Sequence, residues 1–382
     1  AAELGLARDE VRRRNLIAAD AMPYATPVVT RDGKAMTYDS GDYPAAQAMA
    51  LAHAGYDGFT DRQAAALADG RYIGIGLANY VEGTGRGPFE TAMVRVGPSG
   101  RVVIETGATA QGQGNATSLA QICVAALRVG LDDITMIAGD TAATAMGLGA
   151  FASRQAVTAG SSVHLAALAV REKALEAASH LLETAAADLE ITAGRVRVKG
   201  ADKSIGLGEI SRSLAGLPGF SIPGGLSPGL EATSNFEPDG LTYCNGVHIA
   251  EVEVDPETGH VKILRYVVVH DCGRMINPAI VEGQILGGVV HGIGNALLEE
   301  MHYDETGQPQ TTNYGEYLLP AAPGLPEIEI LHMESPTPLN PLGVKGTGES
   351  GTIPATAAIA SAVEDALSHF GVRITETPIT PM

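Results

Sequence analysis

Residues 247–271, VHIAEVEVDPETGHVKILRYVVVHD, leave the chain little choice of local fold. Apolar and polar side chains alternate on both sides of Pro-Glu-Thr-Gly at 256–259, so the two runs pair as an antiparallel hairpin with at least one face turned to a core. Such a hairpin needs cover. Helical spacing of apolar residues supplies it on the C-terminal side, at about 278–299 and 354–369, with a strand EIEILHM between. Further upstream, RYIGIGLANYVE and TAMVRVGPSGRVVIETG read as paired strands with a Gly-Pro-Ser-Gly turn, and NATSLAQICVAALRVG as a helix closed by Gly130. DDITMIAGD then reads as a strand and SSVHLAALAVREKALEAASHLLETAA as a long helix. Both halves thus share the order hairpin, glycine-rich loop, helix. The class is α/β (mixed α+β), as two lobes of mixed sheets with packed helices.

The expected domains are an N-terminal helical arm and connector at 1–70, a first α/β lobe at 71–212, a linker at 213–240 and a second α/β lobe at 241–382. The linker is assigned because prolines at 218, 223, 228 and 238 and many glycines interrupt regular structure there. With 382 residues and 45% hydrophobic content the chain can bury a sizeable core. Its formal net charge of −19 argues against nucleic acid as a partner, because phosphate backbones are held by basic patches. No run of eighteen apolar residues occurs, so no membrane span is expected, and AAELGLARDEVRRRNLI reads as a charged amphipathic helix rather than a signal sequence. A cytoplasmic location follows as an expectation. Opening without Met, in what reads as the middle of a helix, the chain is expected to be a split subunit, a processed product or a truncated fragment. Cys123, Cys244 and Cys272 are far apart and form no CxxC pair, so this chain alone builds neither a disulfide framework nor an iron–sulfur cluster.

Four stretches can carry chemistry. In TAQGQGNATSLAQ, residues 109–121, Gly112 and Gly114 lie immediately before a helix, where backbone N–H groups can meet a phosphate and Gln113 and Thr117 can add bonds; plain turn geometry is the alternative. In GDTAATAMGLGAFASRQAVTAG, residues 139–160, small residues surround Ser153 and Arg154; Arg can clamp phosphate, or form a surface ion pair at a helix start. In DCGRMINPAIVEGQILGGVVHGIGNALLEE, residues 271–300, a helix from 278 places Gln284, Gly287, Gly288, His291 and Gly292 on about one face, open either to a bulky group or to a closely crossing helix. His291 has no HExxH or paired-His context, so no protein-held metal site is assigned. In GVKGTGESGT, residues 343–352, one acid, Glu349, stands among glycines, on a loop that permits the close, water-poor approach a general base needs; a solvated turn acid is the bland reading.

Taken together and in this order, the four stretches resemble the molybdenum-containing catalytic (large) subunit of the xanthine dehydrogenase, aldehyde oxidase and carbon monoxide dehydrogenase family. QGQGNAT looks like its QGQGxxT loop, GLGAFASRQAVTAG its GxGxxxSRxxxxxG loop, DCGRMINPAIVEGQILGGVVHGIG its DCGxxxNPxxxxGQxxGGxxQGxG segment, and PLGVKGTGES its PxGxKGxGE loop. TYDSGDY and YVEGTGRGPFE are similar to the bacterial carbon monoxide dehydrogenase-like branch. The resemblance implies the fold of that family's cofactor-binding domain and a molybdopterin cofactor, in the cytosine dinucleotide form usual in bacteria, whose metal is carried by the pterin. It implies Glu349 as general base and cofactor contacts at Gln111, Gly112, Gln113, Gly114, Thr117, Ser153, Arg154, Gln284, Lys345, Gly346 and Gly348. The implied reaction is hydroxylation, with water-derived oxygen, of an electron-poor carbon of an N-heterocycle, an aldehyde or a similar small molecule. His291 and Asn115 depart from the family's Gln and His.

Only the C-terminal half of the family's subunit is represented, so a split large subunit is implied, with a separate chain supplying the N-terminal half. A [2Fe–2S] subunit and an FAD subunit are implied as further partners. Two other functions use the same residues: a hydratase-like relative with no net oxidation, separated by whether turnover reduces an electron acceptor, and a non-catalytic cofactor-binding scaffold, which has no use for a base at 349.

Overall fold

The computed structural model describes residues 1–30, 33, 35–144, 146–216 and 221–381. In chain order the helices are α1 (Arg8–Arg13), α2 (Tyr43–Ala54), α3 (Phe59–Ala68), α4 (Asn115–Leu127), α5 (Gln155–Leu181), α6 (Leu207–Leu214), α7 (Pro278–Leu297) and α8 (Ala355–Ala366). The strands are β1 (Tyr24–Val29), β2 (Ala35–Tyr38), β3 (Tyr72–Thr84), β4 (Glu90–Val96), β5 (Val102–Thr106), β6 (Ile134–Ala138) and β7 (Leu189–Thr192). They continue with β8 (Arg195–Val198), β9 (Ser204–Gly206), β10 (Leu230–Phe236), β11 (Thr242–Val254), β12 (Val261–Asp271) and β13 (Ile328–Met333). The class is the expected α/β mixture. The chain divides into a terminal unit, residues 1–83, 242–337 and 347–382, and an inserted unit, residues 84–241 and 338–346.

In the inserted unit a four-stranded sheet runs β10-β4-β5-β6. β4 and β5 form the expected hairpin, Val94 opposite Ile104, and β6 adds parallel to β5 after α4 crosses over. α5 packs on this sheet and α4 packs on α5. Their facing residues, among them Val94, Ile104, Leu119, Val163 and Val170, are almost wholly buried. A small antiparallel sheet, β7-β8-β9, completes the unit.

In the terminal unit the sheet runs β13-β12-β11-β3. β11 and β12 are the hairpin read from residues 247–271, with Val247 opposite Val269, and β13 adds parallel to β12 after α7. Both faces are covered. Ala250, Val252, Tyr266 and Val268 pack with Ile285 and Val289 of α7 and Ala358, Ile359 and Val363 of α8, while Val247, Ile249, Val267 and Val269 pack with Ala46 and Ala50 of α2.

Two expectations change. The N-terminal residues do not form a separate arm, and the lobe boundary at 71 falls before a strand, β3, that belongs to the terminal unit's sheet. The expected linker is also partly regular. β10 pairs along its whole length with β4, from Leu230 opposite Val96 to Phe236 opposite Glu90, and α6 reaches Leu214. Short strands between prolines bury one face like any other once a neighbour supplies the ladder. Residues 217–220 of that stretch, and 31, 32 and 34 of the connector, lie outside the described residues.

Candidate functional site

The loop 107–114 leads from β5 into α4, and its first turn is left open. Gly114, at φ 75°, occupies the N-cap position, so no side chain accepts from the first amides of α4. Orphan N–H groups at a helix start are satisfied by a cap, by water or by an anionic ligand. Gly112, at φ 93°, is exposed, and a Cβ built there would meet nothing within 4 Å. Gln111 and Thr117 are exposed beside it. Gln113 instead braces the loop. Its Nε2 donates to the Thr109 carbonyl at 3.0 Å and to Gln155 Oε1 at 2.9 Å, while Gln155 Nε2 donates to the same carbonyl at 3.1 Å. The Asn115 amide also donates to Gln155.

The loop 139–154 lies against this one in the same unit, with Gly139 and Gly149 beside Thr109. It ends in two left-handed non-glycine residues, Ala152 at φ 47° and Ser153 at φ 48°, a conformation that costs of order 1–3 kcal/mol per residue and persists only where packing imposes it. The imposing contact is Gly346. A Cβ there would stand 1.7 Å from the Ser153 carbonyl oxygen, so only glycine fits. Two of the four sequence stretches are therefore joined backbone to backbone.

Arg154 does not present a phosphate clamp. Its Nη1 donates to Glu90 Oε2 at 2.6 Å and to the Gly149 carbonyl at 2.8 Å, its Nε to the Arg86 carbonyl at 2.6 Å, and its Nη2 to the Phe89 carbonyl at 2.6 Å. Both side chains of the Arg154–Glu90 pair are wholly buried. A guanidinium committed on every nitrogen holds the loop and has no fork to offer an incoming anion. Lys345 is likewise buried, 2% exposed.

Glu349 belongs to the terminal unit, on a turn in which Ser350 N donates to the Thr347 carbonyl at 3.4 Å and Thr352 N to the Glu349 carbonyl at 3.1 Å. Glu349 and Gly348 are exposed in this chain, against the expectation of a water-poor base. Gln284 sits half-buried on α7. α7 and the Glu349 turn meet closely, since a Cβ on Gly288 would lie 2.7 Å from Gly351 Cα.

Behind this turn lies a set of residues that the sequence reading missed. Tyr80, Glu82, Cys244, His248, Tyr266, His270 and Ser350 are all buried polar groups. His248 Nδ1 and the Tyr266 hydroxyl are 2.9 Å apart, and burial pushes the His248 pKa down to about 3, so the ring is neutral. Burial raises the Tyr80 hydroxyl and the Cys244 thiol well above their ordinary ranges. The available signal was the shared parity of Tyr80 and Glu82 in β3, of Cys244 and His248 in β11 and of Tyr266 and His270 in β12, which puts each pair on one face of its strand. Among the described residues no group of three or more His, Cys, Asp or Glu is placed to hold a metal ion.

The sequence pattern of the molybdopterin cofactor-binding domain matches residues 49–326. The chain belongs to this family. It is 41% identical over its whole length to the 6-hydroxypseudooxynicotine dehydrogenase complex subunit gamma of Paenarthrobacter nicotinovorans, of which it covers 48%. It is 37% identical to the nicotine 6-hydroxylase large subunit of the same organism, over 97% of this chain and 46% of that one. Its fold superposes on quinoline 2-oxidoreductase from Pseudomonas putida 86 with a TM-score of 0.86 at 40% identity, covering 100% of this chain and 49% of that structure. The chain thus spans about half the length of the curated relatives it matches. The open first turn of α4, the unfilled space over Gly112 and the exposed Gln111 and Thr117 fit the phosphate-bearing part of such a cofactor.

Proposed function

We propose that the chain is one half of the catalytic large subunit of a molybdenum hydroxylase that acts on an electron-poor carbon of an aromatic N-heterocycle. The observation that carries the reading is the uncapped glycine loop ahead of α4, buttressed by Gln113 and Gln155 and present in a chain of this family. Gln111, Gly112, Gly114 and Thr117 would hold the cofactor's pyrophosphate, in the cytosine dinucleotide form, through backbone N–H and side-chain donors. Ser153 and Gly346 shape the neighbouring backbone, Arg154 and Lys345 hold it from inside, and Gln284 and Gly348 lie on the elements that carry the base. When bound, the group supplies a two-electron oxidising centre.

Glu349 acts as general base: one of its carboxylate oxygens takes the proton released as water-derived oxygen bonds to the substrate carbon. Overall, one C–H and one water become C–OH, two protons and two electrons. Proton transfer of this kind contributes on the order of 10² to 10⁴ in rate. A carboxylate exposed in this chain becomes water-poor only under further polypeptide, and the other half of the relatives' length is the proposed source. The electrons leave through [2Fe–2S] and FAD subunits. The substrate class is supported by relatives named for nicotine and quinoline, both aromatic N-heterocycles.

Purification of the native complex tests the reading, with metal analysis, identification of the nucleotide released by acid and identification of the co-purifying chains. Molybdenum, cytidine nucleotide, iron and flavin are the expected result. A complex with no molybdenum, or turnover that reduces no acceptor, overturns it.

A further inference from the structure

The turn carrying Glu349 is tied at two points to the sheet of the terminal unit. Thr347 Oγ1 lies 3.0 Å from His270 Nε2, and His270 Nδ1 lies 2.8 Å from the Tyr80 hydroxyl. Ser350 Oγ donates to Glu82 Oε2 at 3.4 Å, and the Cys244 thiol donates to the same oxygen at 3.1 Å. None of Tyr80, Glu82, Cys244, His270 and Ser350 is more than 8% exposed. The path exists because residue 246 is glycine: a Cβ there would stand 2.7 Å from Tyr80 Cε1, in the space the ring crosses on its way to His270.

A buried polar chain costs desolvation at every link and is stabilising only when each link is satisfied. Ser350 and Cys244 both give their hydrogens to Glu82 Oε2, and His270 stands between the Tyr80 hydroxyl and the Thr347 hydroxyl. We propose that Glu82, Tyr80 and His270 are positioning residues for the base: His270, held by Tyr80, ties Thr347, and Glu82 ties Ser350, so the 347–350 turn is fixed on both sides of Glu349. The inference rests on the proposed role of Glu349, and gives the buried acid, phenol and imidazole a function distinct from contact with substrate or cofactor.

The test pairs spectroscopy with kinetics on the full chain in its native complex. Selective ¹⁵N labelling of histidine should show His270 held in one tautomer, and Tyr80→Phe should abolish that preference. Tyr80→Phe and Glu82→Gln should lower kcat by roughly 10²-fold, the scale of a misplaced catalytic group, with KM and molybdenum content unchanged. A His270 that populates both tautomers in the unaltered protein, or a Tyr80→Phe complex with unaltered kcat, overturns the proposal. Should the variants fail to fold, the histidine signal of the unaltered protein still decides. Glu349→Gln separates the two claims: if it turns over normally, the base assignment itself is wrong. If it is inactive while Tyr80→Phe is fully active, only the positioning chain is.

Discussion

The two units repeat one topology and use it differently. In each, a hairpin is followed by a loop, a helix, a strand parallel to the hairpin's second strand and another helix: β4-β5-α4-β6-α5 in the inserted unit and β11-β12-α7-β13-α8 in the terminal one. The fourth strand of each sheet, β10 or β3, flanks the hairpin's first strand. The loops before the first helix diverge. α7 is self-capped, with Asn277 Oδ1 accepting from Ile280 N at 3.2 Å and Pro278 at the first position, whereas α4 begins at Gly114 with no side-chain cap. A helix start that closes on itself serves the fold, and one left open keeps its donors for something else. The units also differ in what their buried polar groups hold: in the inserted unit the Arg154–Glu90 ion pair holds a loop, and in the terminal unit Tyr80 and His270 lie behind a turn.

The sharpest way to break the comparison is at that ion pair. Arg154→Met strands Glu90 in the interior and should cost roughly 3–5 kcal/mol in denaturant unfolding, whereas Arg71→Met, which opens the exposed Arg71–Glu253 pair of the terminal unit, should leave the unfolding midpoint almost unchanged. Equal costs would remove the contrast. Acid should weaken the terminal unit through His248. Its folded pKa is lowered to about 3 from 6.5, so the unfolded chain binds the extra proton first. The stability is full above 6.5 and falls as pH drops toward 3, by about 1.4 kcal/mol per pH unit. His248→Phe should flatten this part of a pH–stability curve, and an unchanged slope would mean the ring is not held neutral.

At the two helix starts the effects are smaller and opposite. Asn277→Ala removes a cap and should cost about 1 kcal/mol while leaving cofactor content untouched. Thr117→Asp places an acid in the first turn of α4 and should stabilise the chain by about 0.3–1 kcal/mol while lowering cofactor content, because the carboxylate takes the place of the anion. Thermal unfolding and metal analysis of the two variants check both. A cofactor loss in Asn277→Ala and none in Thr117→Asp would reverse the assignment of the open loop.

Local pattern made both hairpins, the long helix α5 and the helix α7 readable, since strand alternation and helical spacing are properties of short windows. Partner choice was not. β3 alternates as well as β4 does, but it pairs with β11, about 170 residues away, and no window contains both. β10 was hidden by the prolines and glycines that flank it, because its ladder is supplied by β4. At the site, the glycine loops were legible from composition, and the close approach of Gly346 to Ser153 explains why glycine stands there. The fate of Arg154 was not legible. An Arg at a helix start reads the same whether it faces solvent, a phosphate or Glu90, and only the fold chooses. Tyr80, Glu82, His248 and His270 escaped notice because single polar residues in apolar strands look like ordinary strand positions until the sheet stacks them on one face.

In the proposed function the open loop binds the cofactor and Glu349 moves the proton. Turnover and molybdenum content of the Glu349→Gln complex, measured side by side, test it most directly. Full molybdenum content with activity lowered on the order of 10² to 10⁴ is the expected result. Unaltered turnover, or loss of molybdenum together with activity, would contradict it.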